Sequence, residues 1–203
     1  MQESLSLPDS VAFALKEWAV AVRALHEGRQ IFLLRKGGLY DPGGEFAVLS
    51  HAAALLPTFW HEEQQAGAAL QPCYRAWLTR PTTADSETPS IDTVAIVTES
   101  IVVRNPRALF ALRSQHIYSE TFLRDRIAMQ PDRPLYAVFL RAYRLTTPKR
   151  SGLSADDYGC KSWITLSEPL RSDGAVPALS DHTYSERVRV IRGYLANMNM
   201  RGE

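Results

Sequence analysis

Gly28-Arg29-Gln30-Ile31-Phe32-Leu33-Leu34-Arg35-Lys36-Gly37-Gly38 reads as a buried strand that runs out into two adjacent cations and two adjacent glycines. A short apolar run with branched residues, bounded by glycine, suits a strand in a sheet core. Backbone that turns without side chains can expose its N–H groups to an anion, and Arg35 and Lys36 would add charge. The competing reading is a solvated hairpin edge, where cations discourage unwanted strand pairing.

Around this stretch the chain alternates helical and extended patterns. Val11, Leu15, Trp18, Val22 and Leu25 recur at spacings of four and three, which predicts a helix from Val11, capped by Ser10 or Asp9 and ended by Gly28. After the turn Asp41-Pro42-Gly43-Gly44, Phe46 to Leu49 would return as the second strand of a hairpin. His61-Glu62-Glu63-Gln64, behind Phe59 and Trp60, reads as the acidic start of a short helix. Thr79 to Ser90 has loop composition. Thr93 to Val103 and Leu135 to Leu145 are rich in strand formers, with helices expected from Pro106 to Leu112 and Tyr118 to Met129 between them. A further strand is expected over Cys160 to Leu166, and a closing helix from about Ser185 to about Met198. Its buried stripe would be Val188, Ile191, Leu195 and Met198, with Arg187, Arg189 and Arg192 outside it. This pattern gives an α+β fold: a mixed, largely antiparallel sheet or small partly open barrel with flanking helices. The 203 residues suit a single globular domain, 1–203.

Composition narrows the function classes. Net charge is +1, so binding to nucleic acid or membrane must rest on a local patch. Only Lys16, Lys36, Lys149 and Lys161 are lysines among 23 basic residues; arginine, the rest, suits bidentate phosphate contacts. No apolar run is long enough to span a bilayer, and Met1 to Asp9 lacks a secretory pattern, so a cytoplasmic protein with no membrane partner is expected. Cys73 and Cys160 cannot build a zinc site alone and are expected reduced, with Cys160 buried. P-loop, dinucleotide fingerprint, nucleophile elbow and paired zinc histidines are all absent from the sequence. The acid-x-Lys element of restriction-type nucleases is missing too, because Ala14, Leu34, Thr147 and Gly159 stand two residues before the four lysines.

Three polar clusters remain. Arg35-Lys36-Gly37-Gly38 would bind an anion. His61 with Glu62 or Glu63 would be acid–base candidates, against the bland reading, which a helix start favours, of solvated side chains. Lys161, Ser162 and Trp163, after Asp156-Asp157, could reach a phosphate or sugar and stack on a base, unless Trp163 is core. Arg141 and Arg144 lie on opposite faces of their strand.

The strings Phe13-Ala14-Leu15-Lys16-Glu17-Trp18, Gly28-Arg29-Gln30 through Gly38, Pro57-Thr58 with His61, Leu140-Arg141-Ala142-Tyr143-Arg144-Leu145 and Tyr158-Gly159-Cys160-Lys161-Ser162-Trp163 resemble a bacterial family, the domain-of-unknown-function family 1802. Glu62 is a departure, because glutamine is expected after His61. The resemblance implies a link to restriction-modification or nucleic-acid processing, since some members are joined to a restriction-endonuclease-like domain. The helix, Gly28-Arg29-Gln30 and the strand to Arg35 are also similar to the opening of ASCH and PUA-like domains, which implies a small barrel that binds RNA or nucleotides.

The leading expectation is a nucleic-acid- or nucleotide-binding domain, accessory to a restriction or defence system and its protein partners. Arg35, Lys36, Arg141 and Lys161 would contact phosphate, with Trp163 or Trp60 stacking. Two alternatives stay open: a nuclease or hydrolase using His61 and the neighbouring carboxylates Glu62 or Glu63, and a protein-interaction module without a small ligand. No cofactor is expected; a divalent metal would enter only with a nuclease.

Overall fold

The apolar stripe that predicts a helix from Val11 divides in two. Ser10–Trp18 is a strand, β1, and only Ala19–His26 is helical, as α1. A spacing of four places two residues on one face of a helix and equally of a strand, so Val11 and Leu15 could not separate the two. Long-range pairing decides it: β1 lies between two other strands and both its edges are occupied. Its consecutive residues Ala14 and Leu15 are both buried, in separate apolar clusters on opposite faces, as a central strand requires.

The computed structural model describes residues 6–36, 46–59, 68–78, 88–150 and 161–200. The remaining strands are β2 (Phe32–Arg35), β3 (Ala52–Thr58), β4 (Ser90–Val102), β5 (Tyr136–Arg150), β6 (Trp163–Arg171) and the short β7 (Val176–Pro177). They form a sheet in the order β2-β5-β4-β3-β1-β6, with β7 beside β5. Among the paired strands only β1 and β3 run parallel. The helices α2 (Arg107–Ala111), α3 (Glu120–Ala128) and α4 (Asp181–Met200) follow in chain order. The fold is thus α+β, with a mostly antiparallel sheet and flanking helices. Among the described residues no helix is long and apolar enough to cross a membrane.

Three expectations are corrected. The partner of β2 is β5, with Phe32 opposite Phe139 and Arg35 opposite Tyr136, and residues 46–50 are not a strand. The hairpin gives way because β5 offers a continuous apolar edge, Ala137 to Leu140, that 46–50 cannot match. No element was expected over 52–58, yet the alanine-rich β3 is a core strand; its pairing with β1 and β4 overrides weak propensity. In α4, Arg187 is no outer residue: it donates to the carbonyls of Gly28 (2.6 Å) and Arg29 (3.0 Å) and to Gln115 (3.0 Å). That helix also begins earlier than predicted, with Ser180 accepting from the Thr183 N–H. Cys73 is exposed and unpaired, and Cys160 lies outside the described residues.

Gly28 ends α1 in the left-handed region, φ 67°, as its place in the sequence predicts. A Cβ there would meet Leu179 Cδ2 at 2.7 Å. Both backbone strain and this overlap oppose a side chain, so Gly28→Ala is expected to lower the unfolding free energy by about 1–3 kcal/mol, measured by urea denaturation.

Candidate functional site

The sheet curls until its β2 edge meets β1, although three strands stand between them in the pairing order. Arg35, the last residue of β2, donates from Nη2 to the Lys16 carbonyl and forms an ion pair with Glu17 at 3.0 Å. Both charged side chains are nearly buried, 13% and 12% exposed, so water screens the pair little. Glu17 is held in turn by its neighbours: its Oε1 accepts from the Trp18 N–H at 2.8 Å, and its carbonyl accepts from Thr58 Oγ1 at 3.1 Å. The Lys16 N–H donates to the Ser162 carbonyl at 2.9 Å. Four of the sequence strings, carrying Lys16-Glu17, Arg35-Lys36, Pro57-Thr58 and Lys161-Ser162-Trp163, therefore meet at one end of the sheet.

A layer of aromatic rings backs this end. The Arg35 guanidinium lies 5.8 Å from the Phe46 ring, which stacks on Trp163 with centroids 6.3 Å apart. Trp163 is 6% exposed and its indole N–H donates to the Ala47 carbonyl at 2.9 Å. It serves as a wall of the core and offers no open face for a base. Ser162 is buried and Lys161 is exposed just ahead of β6.

Lys36 has a different role from the phosphate contact expected of it. It is 3% exposed, and its Nζ donates to the carbonyls of Ile127 (3.0 Å), Met129 (2.7 Å) and Gln130 (3.1 Å) at the end of α3. Those carbonyls lack partners within a helix, and a cation there also complements the helix dipole. Burial, with repulsion from Arg126, pulls its pKa below the usual lysine value. Lys36→Met leaves the carbonyls unsatisfied. It is expected to cost about 1–3 kcal/mol of stability and to speed amide hydrogen exchange in the last turn of α3.

Two members of this end escaped the sequence reading. Arg126, on α3, is half-buried, and burial followed by repulsion from Arg35 lowers its pKa. Its Nε and that of Arg35 are shielded from solvent and have no hydrogen-bond acceptor. Tyr118 is buried beside them. Burial raises its pKa first, and the negative charge of Glu17 raises it further. Gln30 fixes this tyrosine by donating to its hydroxyl at 3.3 Å, while also accepting from the Ile117 N–H at 3.0 Å. Arg126 had one visible signal: it stands four residues after Phe122, on the apolar side of a short helix.

Arg141 stands apart. Arg35 pairs with Tyr136, five residues before Arg141, which puts them about 16 Å apart along β5. Arg141 pairs with Asp181 and lies 5.5 Å and 5.7 Å from the rings of Tyr143 and Tyr184. Gly37, Gly38, Trp60, His61 and Glu62 lie outside the described residues, as do 79–87 of the expected loop.

Tyr184 gives this second region a pH signature. Burial pushes its pKa up to about 12, against a reference of 10.0, and its hydroxyl is within 2.6 Å of Thr98 Oγ1. Between those values the unfolded chain releases a proton that the fold retains, so the tyrosine's contribution to stability is lost as pH rises. Tyr184→Phe should flatten the fall in urea stability between about pH 10 and about pH 12, even if its absolute stability is lower.

A curled α+β sheet with cations gathered at one end is the class of protein that these features define. The chain belongs to the family described as Domain of unknown function (DUF1802), whose model matches residues 14–190. No curated protein matches it. Similar solved structures include an ASCH protein of Zymomonas mobilis and a single-site variant of it. The variant is 12% identical, covering 91% of this chain and 99% of that one, with a TM-score of 0.42. The other is 13% identical over 77% and 87%, with a TM-score of 0.43.

Proposed function

We propose that this chain is a single-domain nucleic-acid- or nucleotide-binding protein whose ligand docks at the end of the sheet formed by β1, β2, β3 and β6. The observation that carries this is the charge balance there: Arg35 and Arg126 lie by one carboxylate, Glu17, and Lys36 adds a third cation beside Arg126, among the described residues. Exposed Lys161 extends the positive surface outward from the same end. Arginine's planar fork matches phosphate oxygens, and counterion release from phosphates would supply much of the affinity. The meeting of the Arg35 and Lys161 strings supports a ligand site over a protein-interaction module with scattered polar clusters. An accessory role beside a restriction enzyme is the context that the family resemblance suggests.

Fluorescence anisotropy with labelled single-stranded RNA, single-stranded DNA and duplex DNA tests the reading. Binding should weaken steeply with salt, and Lys161→Ala should reduce the slope of log affinity against log salt by about 1. Absence of binding to every probe at low salt, or an unchanged slope in the variant, would reject it.

A further inference from the structure

The geometry points to a second surface, an aromatic and arginine platform around Trp77 that takes an unpaired nucleic-acid strand by stacking its bases and pairing its phosphates. It shares no residue with the sheet end formed by β1, β2, β3 and β6 and stands on its own observations.

Segments distant in sequence meet here through direct contacts. The Gln71 side chain donates to the carbonyls of Arg113 (2.8 Å) and His116 (2.7 Å), which ties the start of the 3₁₀ helix Pro72–Trp77 to segment 113–116. Arg187 of α4 joins Gln115 of that segment to the carbonyls of Gly28 and Arg29 at the end of α1. The ring of contacts closes where the Arg23 guanidinium, on α1, lies 4.5 Å from the centre of the Trp77 ring. Tyr74 meets the same indole edge to face at 5.0 Å.

These contacts hold up an element that faces outward. None of the six residues Pro72–Trp77 is buried, although they include a tyrosine and a tryptophan. Aromatic rings fixed half in water suit a partner with flat apolar faces, and every nucleobase has one. The Arg23 side chain is itself 46% exposed, so its guanidinium offers a further flat face beside the indole.

Charge selects a polyanion among such partners. The segments carry Arg23, Arg29, Arg75, Arg113 and Arg187 against one carboxylate, Glu27, among the described residues, and Glu27 pairs with Arg23 at 2.9 Å. Arg29, Arg75 and Arg113 are exposed. Glu186, beside Arg187 on α4, is engaged by Arg189 at 2.6 Å. In a chain of net charge +1 this local excess is where phosphates would gather. A duplex hides its base faces in its own stack, so stacking here requires an unpaired strand.

Tryptophan emission and binding affinity of the whole chain test this with three probes. They are a single-stranded oligonucleotide of about ten nucleotides, the same sequence as duplex, and inorganic polyphosphate, a polyanion without bases. The single strand should quench emission and polyphosphate should not, and the duplex should bind about tenfold more weakly. Trp77→Phe, which keeps a ring against the core, should still bind and lose most of the quenching. Arg75→Glu with Arg113→Glu reverses two exposed charges and should weaken single-strand binding about tenfold, with the melting temperature little changed. Undiminished quenching in Trp77→Phe, equal quenching by polyphosphate, equal binding of the duplex, or full affinity in the charge-reversed protein overturns the platform. Lys161→Ala separates the two surfaces. A loss confined to Lys161→Ala overturns the platform and leaves the sheet end standing; a loss confined to the charge-reversed protein keeps the platform and overturns the sheet end. Failure of every probe to bind overturns both.

Discussion

The ion pair between Arg35 and Glu17 joins the curl of the sheet. It connects β2, one end of the pairing order, to β1 near the other, and it does so where both side chains have lost most of their water. A pair in that setting is a weak source of net stability, because desolvation offsets much of the attraction. Removing one partner is another matter, since the survivor would be a buried charge without compensation. The pair therefore acts mainly as a constraint on geometry. It brings the β2 terminus to the place where β1, β3 and β6 also end or begin.

The next residue fastens a second part of the molecule. Adjacent positions in extended backbone point to opposite sides, so Arg35 and Lys36 can reach different neighbours from one strand end. Arg35 turns to the sheet, and Lys36 closes the last turn of α3. This brings Arg126 within range of both cations, with Glu17 the carboxylate that offsets them.

Much of the architecture could be read along the chain. β4, β5, α2 and α3 lie close to where their composition placed them, and the left-handed Gly28 ends its helix as expected. β1 was misread because Val11 and Leu15 are four apart, a spacing shared by both periodicities. β3 was missed because alanines carry almost no strand signal. The site divides in the same way. Arg35 stood out as a cation at a strand end, and the strings around Lys16, Thr58 and Ser162 do come together. Trp163 proved to be a wall, Lys36 a helix cap, and Arg141 part of a separate group with Asp181 and the tyrosines.

What the amino-acid order determined by itself was local: where runs begin and end, which turns need glycine, and which residues must be apolar. Those depend on interactions within a few residues, and they leave a periodic trace. The partner of each strand, the closing of the curl and the balance of charge at its end were decided only by tertiary structure. They depend on residues such as Glu17, Arg35 and Arg126, distant in sequence, whose energies are set by burial and by one another. An arginine written in the chain looks the same whether it will lie in water or be half-buried beside other charges.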